Sequence, residues 1–123
     1  MSTFPEHLQY TVEHEWIDGG TPATVGITAT AADALGDIVY LELPAVGADV
    51  VAGAVIGEIE STKSVSELYS PVTGTVVEVN ASAVDDPSLV NADPYGTGWL
   101  LKVDVSDLGP VLTPAEYAAQ VEA

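Results

Sequence analysis

Turn-forming residues cut this sequence into short pieces, and that punctuation limits what it can fold into. Asp18-Gly19-Gly20, Pro44, Gly47, Gly53, Pro71, Gly74 and Asp93-Pro94-Tyr95-Gly96 fall between runs rich in β-branched and aromatic side chains. Glycine, proline, asparagine and aspartate end regular structure through the backbone angles they impose or tolerate, so the runs between them read as short strands. Those strands are expected within Gln9 to Ile17, where His14 breaks the alternation, and over Ala23 to Ile27, Asp37 to Leu43, Val55 to Glu60 and Val65 to Tyr69. Further strands are expected around Thr75, Val77 and Val79, over Leu89-Val90-Asn91 and from Trp99 to Val103, with Pro71 and Gly74 as bends. Two helices carry their own signals. Thr28 can cap Ala29 to Leu35 with Gly36 just past the end, and Thr113-Pro114-Ala115-Glu116 has the form of a capping box with proline at the first helical position. A chain of 123 residues that is 47% hydrophobic supports one core, so the expectation is a single domain over residues 1–123, mainly β, edged by short helices that include a C-terminal one.

Charge narrows the function. Two lysines, Lys63 and Lys102, face nineteen carboxylates, for a formal net charge of −17. Nucleic acid is excluded, because phosphate binding needs Lys and Arg to displace counterions, and anionic membrane surfaces are excluded for the same reason. No apolar run approaches the ~20 residues that span a bilayer, and no leader pattern opens the sequence, so a soluble, cytoplasmic protein is expected. Without cysteine there is no disulfide, catalytic thiol or Cys-based zinc site, and any sulfur chemistry must come from an attached group. His7 and His14 lack a second cluster with ligand spacing, the aspartates do not form a calcium loop, and no nucleophile elbow, P-loop or dinucleotide fingerprint occurs. No metal site and no self-contained active site are expected. His14 reads as a hydrogen-bonded structural residue, Lys102 as a stem covering apolar surface, and Trp16, Tyr40, Tyr69, Tyr95 and Trp99 as core or turn packing.

The scarce lysine therefore matters. Lys63 sits in ESTKSVSELYSPVTG, residues 60–74, which reads as a β-hairpin with the lysine at its tip among Ser61, Thr62 and Ser64. A carrier lysine must stand clear of the surface on a turn that a modifying enzyme can grip.

That segment, with EHEW at 13–16, GIT at 26–28, LGDIVYLELPAVG at 35–47, EVN at 78–80 and LVNADPYGTGWLLK at 89–102, resembles the glycine cleavage system H protein over nearly the whole chain. The resemblance implies a barrel-sandwich hybrid of the lipoyl/biotinyl-carrier kind, with lipoate in amide linkage to Lys63. It also implies Glu60 and Gly74, three residues before and eleven after the lysine, as lipoylation-recognition positions. The implied role is a carrier, not an enzyme: a pyridoxal-phosphate glycine decarboxylase (P protein) loads the arm with an aminomethyl group. An aminomethyltransferase (T protein) passes the carbon to tetrahydrofolate, and a flavin-dependent dihydrolipoamide dehydrogenase (L protein) reoxidises the dithiol. Lipoate ligase or octanoyltransferase would attach the arm. Glu15 and Glu67 match acidic positions of the family motifs and are candidates for keeping the aminomethyl amine protonated, since nearby carboxylates favour an ammonium. Thr62 and Ser64 stand where relatives often have Val and Ala, which makes the tip more polar. Biotinyl carriers typically flank their lysine with methionines, whereas the only methionine here is Met1. A lipoyl relay to other complexes and an unmodified interaction module are the competing roles, and a monomer is expected.

Overall fold

The computed structural model describes residues 5–122; Met1 to Phe4 and Ala123 lie outside the described residues. Nine strands and four helices follow one another as β1 (Gln9–Tyr10), β2 (Glu15–Ile17), β3 (Ala23–Ile27), α1 (Ala29–Leu35), β4 (Ile38–Glu42), β5 (Asp49–Val50), β6 (Val55–Ser61), β7 (Val65–Tyr69), β8 (Val72–Val79), α2 (Ala81–Asp85), α3 (Ser88–Ala92), β9 (Leu101–Leu108) and α4 (Pro114–Glu122). They form a six-stranded sheet in the order β1-β2-β3-β9-β8-β5 and a three-stranded sheet in the order β4-β6-β7. The paired strands are antiparallel throughout. One core contains Val25, Leu41, Ile59, Leu68, Val76 and Val103, contributed by both sheets. A second cluster, Leu8, Tyr10, Trp16 and Tyr117, fixes α4 against β1 and β2.

Local chemistry places the helices. The Thr28 hydroxyl accepts from the Ala31 N–H at 3.2 Å, and Gly36 leaves α1 at φ +79°, a left-handed conformation that glycine adopts without a Cβ penalty. At α4 the capping box closes in both directions: Thr113 N–H donates to Glu116 Oε1 at 2.9 Å, and Glu116 N–H donates to Thr113 Oγ1 at 3.2 Å.

Several expectations are corrected. Leu89-Val90-Asn91 is not a strand but the middle of α3, and α2 precedes it. Three residues carry no period that separates strand from helix, and Asn80 at the start of α2 makes no side-chain cap, sending its amide to the carbonyls of Thr97 and Trp99 instead. Gly74 is not a bend. It lies inside β8 at a register shift, where any side chain would collide with the Asp104 carbonyl of β9. The last strand begins at Leu101 and runs on to Leu108. Tyr40 is 50% exposed on the outer face of β4 and packs into no core. At Lys102 it is the ammonium that lies over the ring, Nζ standing 5.1 Å from the Trp99 centroid and 4.0 Å from Glu78 Oε1.

Candidate functional site

The hairpin of β6 and β7 turns at Thr62, Lys63 and Ser64, and the Lys63 side chain is exposed. Hydrogen bonds brace the tip from within. Ser61 N–H donates to Ser64 O at 2.8 Å, while the Ser61 hydroxyl accepts from the backbone N–H groups of Lys63 and Ser64 at 3.2 and 3.1 Å. Short polar side chains of this kind satisfy turn backbone that would otherwise need water. A bond to a neighbouring element holds the tip from outside: Thr62 N–H donates to Asp37 O, in the loop between α1 and β4, at 3.0 Å. The stem of Lys63 rests over the glycine that ends α1; a β-carbon at Gly36 would stand 3.3 Å from Lys63 Cε. Among the described residues the recorded ion pair belongs to Lys102, and Lys63 makes none.

Glu60 lies on β6 opposite Tyr40 and Val65, half-exposed and close below the tip. Gly74 is in the other sheet, so the two residues bracketing the lysine in sequence are separated in the fold.

At the far end of β7 the surroundings change. Thr11, Val12, Glu15, Tyr69, Ser70 and Pro71 help to line a groove of about 170 Å³. Glu15 is only 2% exposed there. Burial pushes its carboxyl up to about 8, because a low-dielectric setting penalises the anion. Two bonds pull the other way, from the Thr11 hydroxyl to Oε1 at 2.7 Å and from the Tyr69 N–H to Oε2 at 3.4 Å, and the charge of Glu13 adds to the rise. The turn that presents Glu15 depends on His14, which adopts φ +67° between β1 and β2. Non-glycine residues seldom take this conformation, though histidine does so more readily than most. The ring of His14 is held, with Nδ1 2.6 Å from the hydroxyl of Tyr117, which is itself 2.8 Å from Thr28 Oγ1. This is the structural role expected of His14, and no group of three or more metal-ligating side chains occurs among the described residues.

Glu67 is exposed on β7, opposite Glu58, and accepts from the Tyr69 hydroxyl at 3.3 Å. Its charge, followed by that hydrogen bond, raises the Tyr69 phenol above the usual tyrosine range. Tyr69 therefore joins the two acids: its backbone meets Glu15 and its ring meets Glu67. Sequence reasoning missed Tyr69 and Thr11. The break in alternation at His14 marks a turn, but nothing in the spacing shows that the Thr11 hydroxyl folds back onto Glu15.

Comparison with known proteins matches nearly the whole chain. The family model for the glycine cleavage H-protein covers residues 8–122. The glycine cleavage system H protein of Clavibacter sepedonicus is 60% identical over 116 residues, covering 93% of this chain and 94% of the relative. That of Thermobifida fusca is 60% identical over 121 residues, covering 96% and 95%. The crystal structure of a glycine cleavage system H protein from Mycobacterium marinum superposes with a TM-score of 0.94 at 49% identity, covering 98% of this chain and 100% of that one. With this overlap in both sequence and fold, including the barrel-sandwich hybrid with its C-terminal helix, the chain belongs to the glycine cleavage H-protein family.

Proposed function

We propose that the chain is the lipoyl carrier of the glycine cleavage system, with lipoate joined through an amide to Lys63 Nζ and no turnover of its own. The observation that carries this reading is the layout of one hairpin strand: β7 starts beside an exposed lysine on a braced turn and ends with Tyr69 bonded to a buried acid in a groove. The residues fit the group. The Lys63 side chain is exposed and makes no ion pair among the described residues, and Glu67 lies four residues on, about 13 Å along an extended strand. When attached, the lipoyl dithiolane would supply the redox-active sulfur that a chain without cysteine lacks.

The chain's own residues do the rest. Near neutral pH Glu15 holds its proton, and a basic amine brought into the groove can take that proton to give an ammonium–carboxylate pair. An adjacent cation lowers a carboxyl's pKa, so the transfer is self-reinforcing, and the restricted access of water strengthens the attraction. Thr11 and Tyr69 hold both oxygens of Glu15 in place for that pairing, and Glu67 adds a second carboxylate nearer the lysine. Glu60 offers a feature beside the tip to the lipoate ligase or octanoyltransferase. Gly74 contributes by letting β8 close onto β9. The partners served are the P, T and L proteins, and a net charge of −17 steers the carrier toward basic faces on them.

Intact mass of the protein from its native host tests the reading. A lipoyl-sized increment that disappears in Lys63→Ala, together with support of glycine–carbon dioxide exchange by a cognate decarboxylase, is the expected result. An unmodified native chain defeats it, and a lipoylated chain that fails to support exchange assigns the carrier to lipoyl relay.

A further inference from the structure

The turn that carries Lys63 is held by a corner that is itself held from a third element. Asn91, on α3, spans the loop between α1 and β4 with both ends of its amide: Nδ2 donates to Gly36 O at 2.8 Å, and Oδ1 accepts from Ile38 N–H at 2.9 Å. A side-chain amide paired in both directions with two backbone groups two residues apart imitates a strand partner and fixes the peptide planes between them. The residue enclosed by that clamp is Asp37, whose carbonyl receives the Thr62 N–H at the lysine tip. The residue at its edge is Gly36, over which the Lys63 stem lies, with Cε and Cδ 3.3 and 3.5 Å from where a β-carbon would stand. Asn91 thus reaches the tip by two short routes, one through a hydrogen bond and one through van der Waals contact, although it is 28 residues away in sequence (91 − 63).

We propose that Asn91 is a positioning residue for acylation of Lys63, acting through the Gly36–Ile38 corner to present the lysine in one orientation to the acyl-transferring enzyme. This rests on the reading of Lys63 as the lipoyl attachment point. In the transfer step, the Lys63 nitrogen forms the amide C–N bond as the mixed-anhydride C–O bond of an acyl adenylate breaks. AMP leaves, and the nitrogen loses two protons on passing from ammonium to amide. That attack needs the nitrogen aligned with the carbonyl, and a turn already ordered in the free protein does not have to be ordered at the moment of encounter. The corner also defines the enzyme's footprint. Asp37 is exposed on it and Asp33 on the helix α1 that leads into it, so the face that meets the tip should be basic.

The test uses the apo protein with lipoate ligase, lipoate and ATP, reading kcat and KM by the mass increment, and separately amide hydrogen exchange of the unmodified chain. Asn91→Ala should lower kcat/KM for the carrier about five- to tenfold, the scale expected when two hydrogen bonds that order the reacting turn are lost. It should also speed exchange of the Thr62 amide relative to the β6–β7 ladder. Asn91→Asp keeps the acceptor for Ile38 N–H but loses the donor to Gly36 O, and should fall between wild type and Asn91→Ala. Val50→Ala, a buried change on β5 at the edge of the larger sheet, supplies the control: it should lower Tm without altering either readout. Unchanged kcat/KM in Asn91→Ala, unchanged Thr62 exchange, or an equal slowing in Val50→Ala overturns the proposal. Failure of the wild-type chain to accept a lipoyl group would instead overturn the attachment reading, and the exchange measurement would still decide whether Asn91 holds the tip.

Discussion

The two ends of β7 differ in almost every physical respect. At the Lys63 end the side chain is in water, the turn is made of serine and threonine, and order comes from backbone hydrogen bonds to Ser61 and Asp37. At the Tyr69 end an acid is shut into a groove, its charge disfavoured by burial, and order comes from side chains packed around a left-handed histidine. On the proposed reading, the tip would be an attachment point that a large enzyme must reach, which exposure serves, and the groove would hold a labile cation kept from water and given a counter-charge, which burial serves. One strand joins the two environments and sets the separation that a tethered group would have to cross.

Lys63→Ala should expose the contrast most sharply. It should abolish the lipoyl mass increment and glycine–carbon dioxide exchange while leaving unfolding free energy within about 0.5 kcal/mol of wild type, as surface changes usually do. A large loss of stability would mean that the lysine is structural after all.

Glu15→Gln should behave in the opposite way. The native carboxyl titrates near 8 and the unfolded one near 4.5, so between those values the native state binds more protons than the unfolded state. Stability attributable to this group is complete below about pH 4.5 and declines as pH rises to about 8. The glutamine variant lacks that decline. Its advantage over wild type should grow across the window to roughly 5 kcal/mol, at about 1.4 kcal/mol for each pH unit between about 4.5 and about 8. Paired denaturant titrations at several pH values measure it, and a difference independent of pH would show that the groove is wet.

Thr11→Val asks how the acid is held. It removes the donor to Glu15 Oε1 and the acceptor of the Glu13 and Glu15 N–H groups, and should cost about 1–3 kcal/mol. Because the hydroxyl holds the Glu15 pKa down, its loss should move the carboxyl's midpoint upward in a carbon-13 NMR titration. A downward move would reverse the assignment.

Thr113→Ala is the mildest probe. Breaking the capping box should cost about 1 kcal/mol of thermal stability and leave the Glu15 midpoint where it was, because α4 meets the groove through the Tyr117–His14 contact and through Gln120, which donates to Val12 O at 3.4 Å, and Thr113 takes part in neither. A shifted midpoint would show the groove to be coupled to the C-terminal helix.

Sequence revealed what is local. The strands from Gln9 to Tyr69, the Thr28 and Thr113 caps and the lysine hairpin follow from residues a few positions apart, and the structure has them where expected. What stayed hidden is non-local or unpatterned. Leu89-Val90-Asn91 looks extended until Val90 is seen buried as part of a five-residue helix. Asn91 gains its meaning only from Gly36 and Ile38, more than fifty residues earlier. Glu15 and Glu67 stood out as acids at family positions, but the burial that separates their behaviour depends on how the larger sheet closes over one of them. Gly74 looked like a bend because glycine usually marks one; here its small size serves strand contact.

Tyr69 links to its two acids through different kinds of atom. The donor to the Glu15 carboxyl is a main-chain N–H that moves only with the sheet, whereas the donor to Glu67 is a ring hydroxyl on a side chain that can turn. Rotamer hops of accessible side chains take picoseconds to nanoseconds, while a main-chain amide moves only with its strand. Under the proposed carrier reading, the Tyr69 side of the groove would therefore combine a donor fixed by its strand with a ring free to turn, so that a tethered group would enter or leave by side-chain rotation rather than by opening of a sheet.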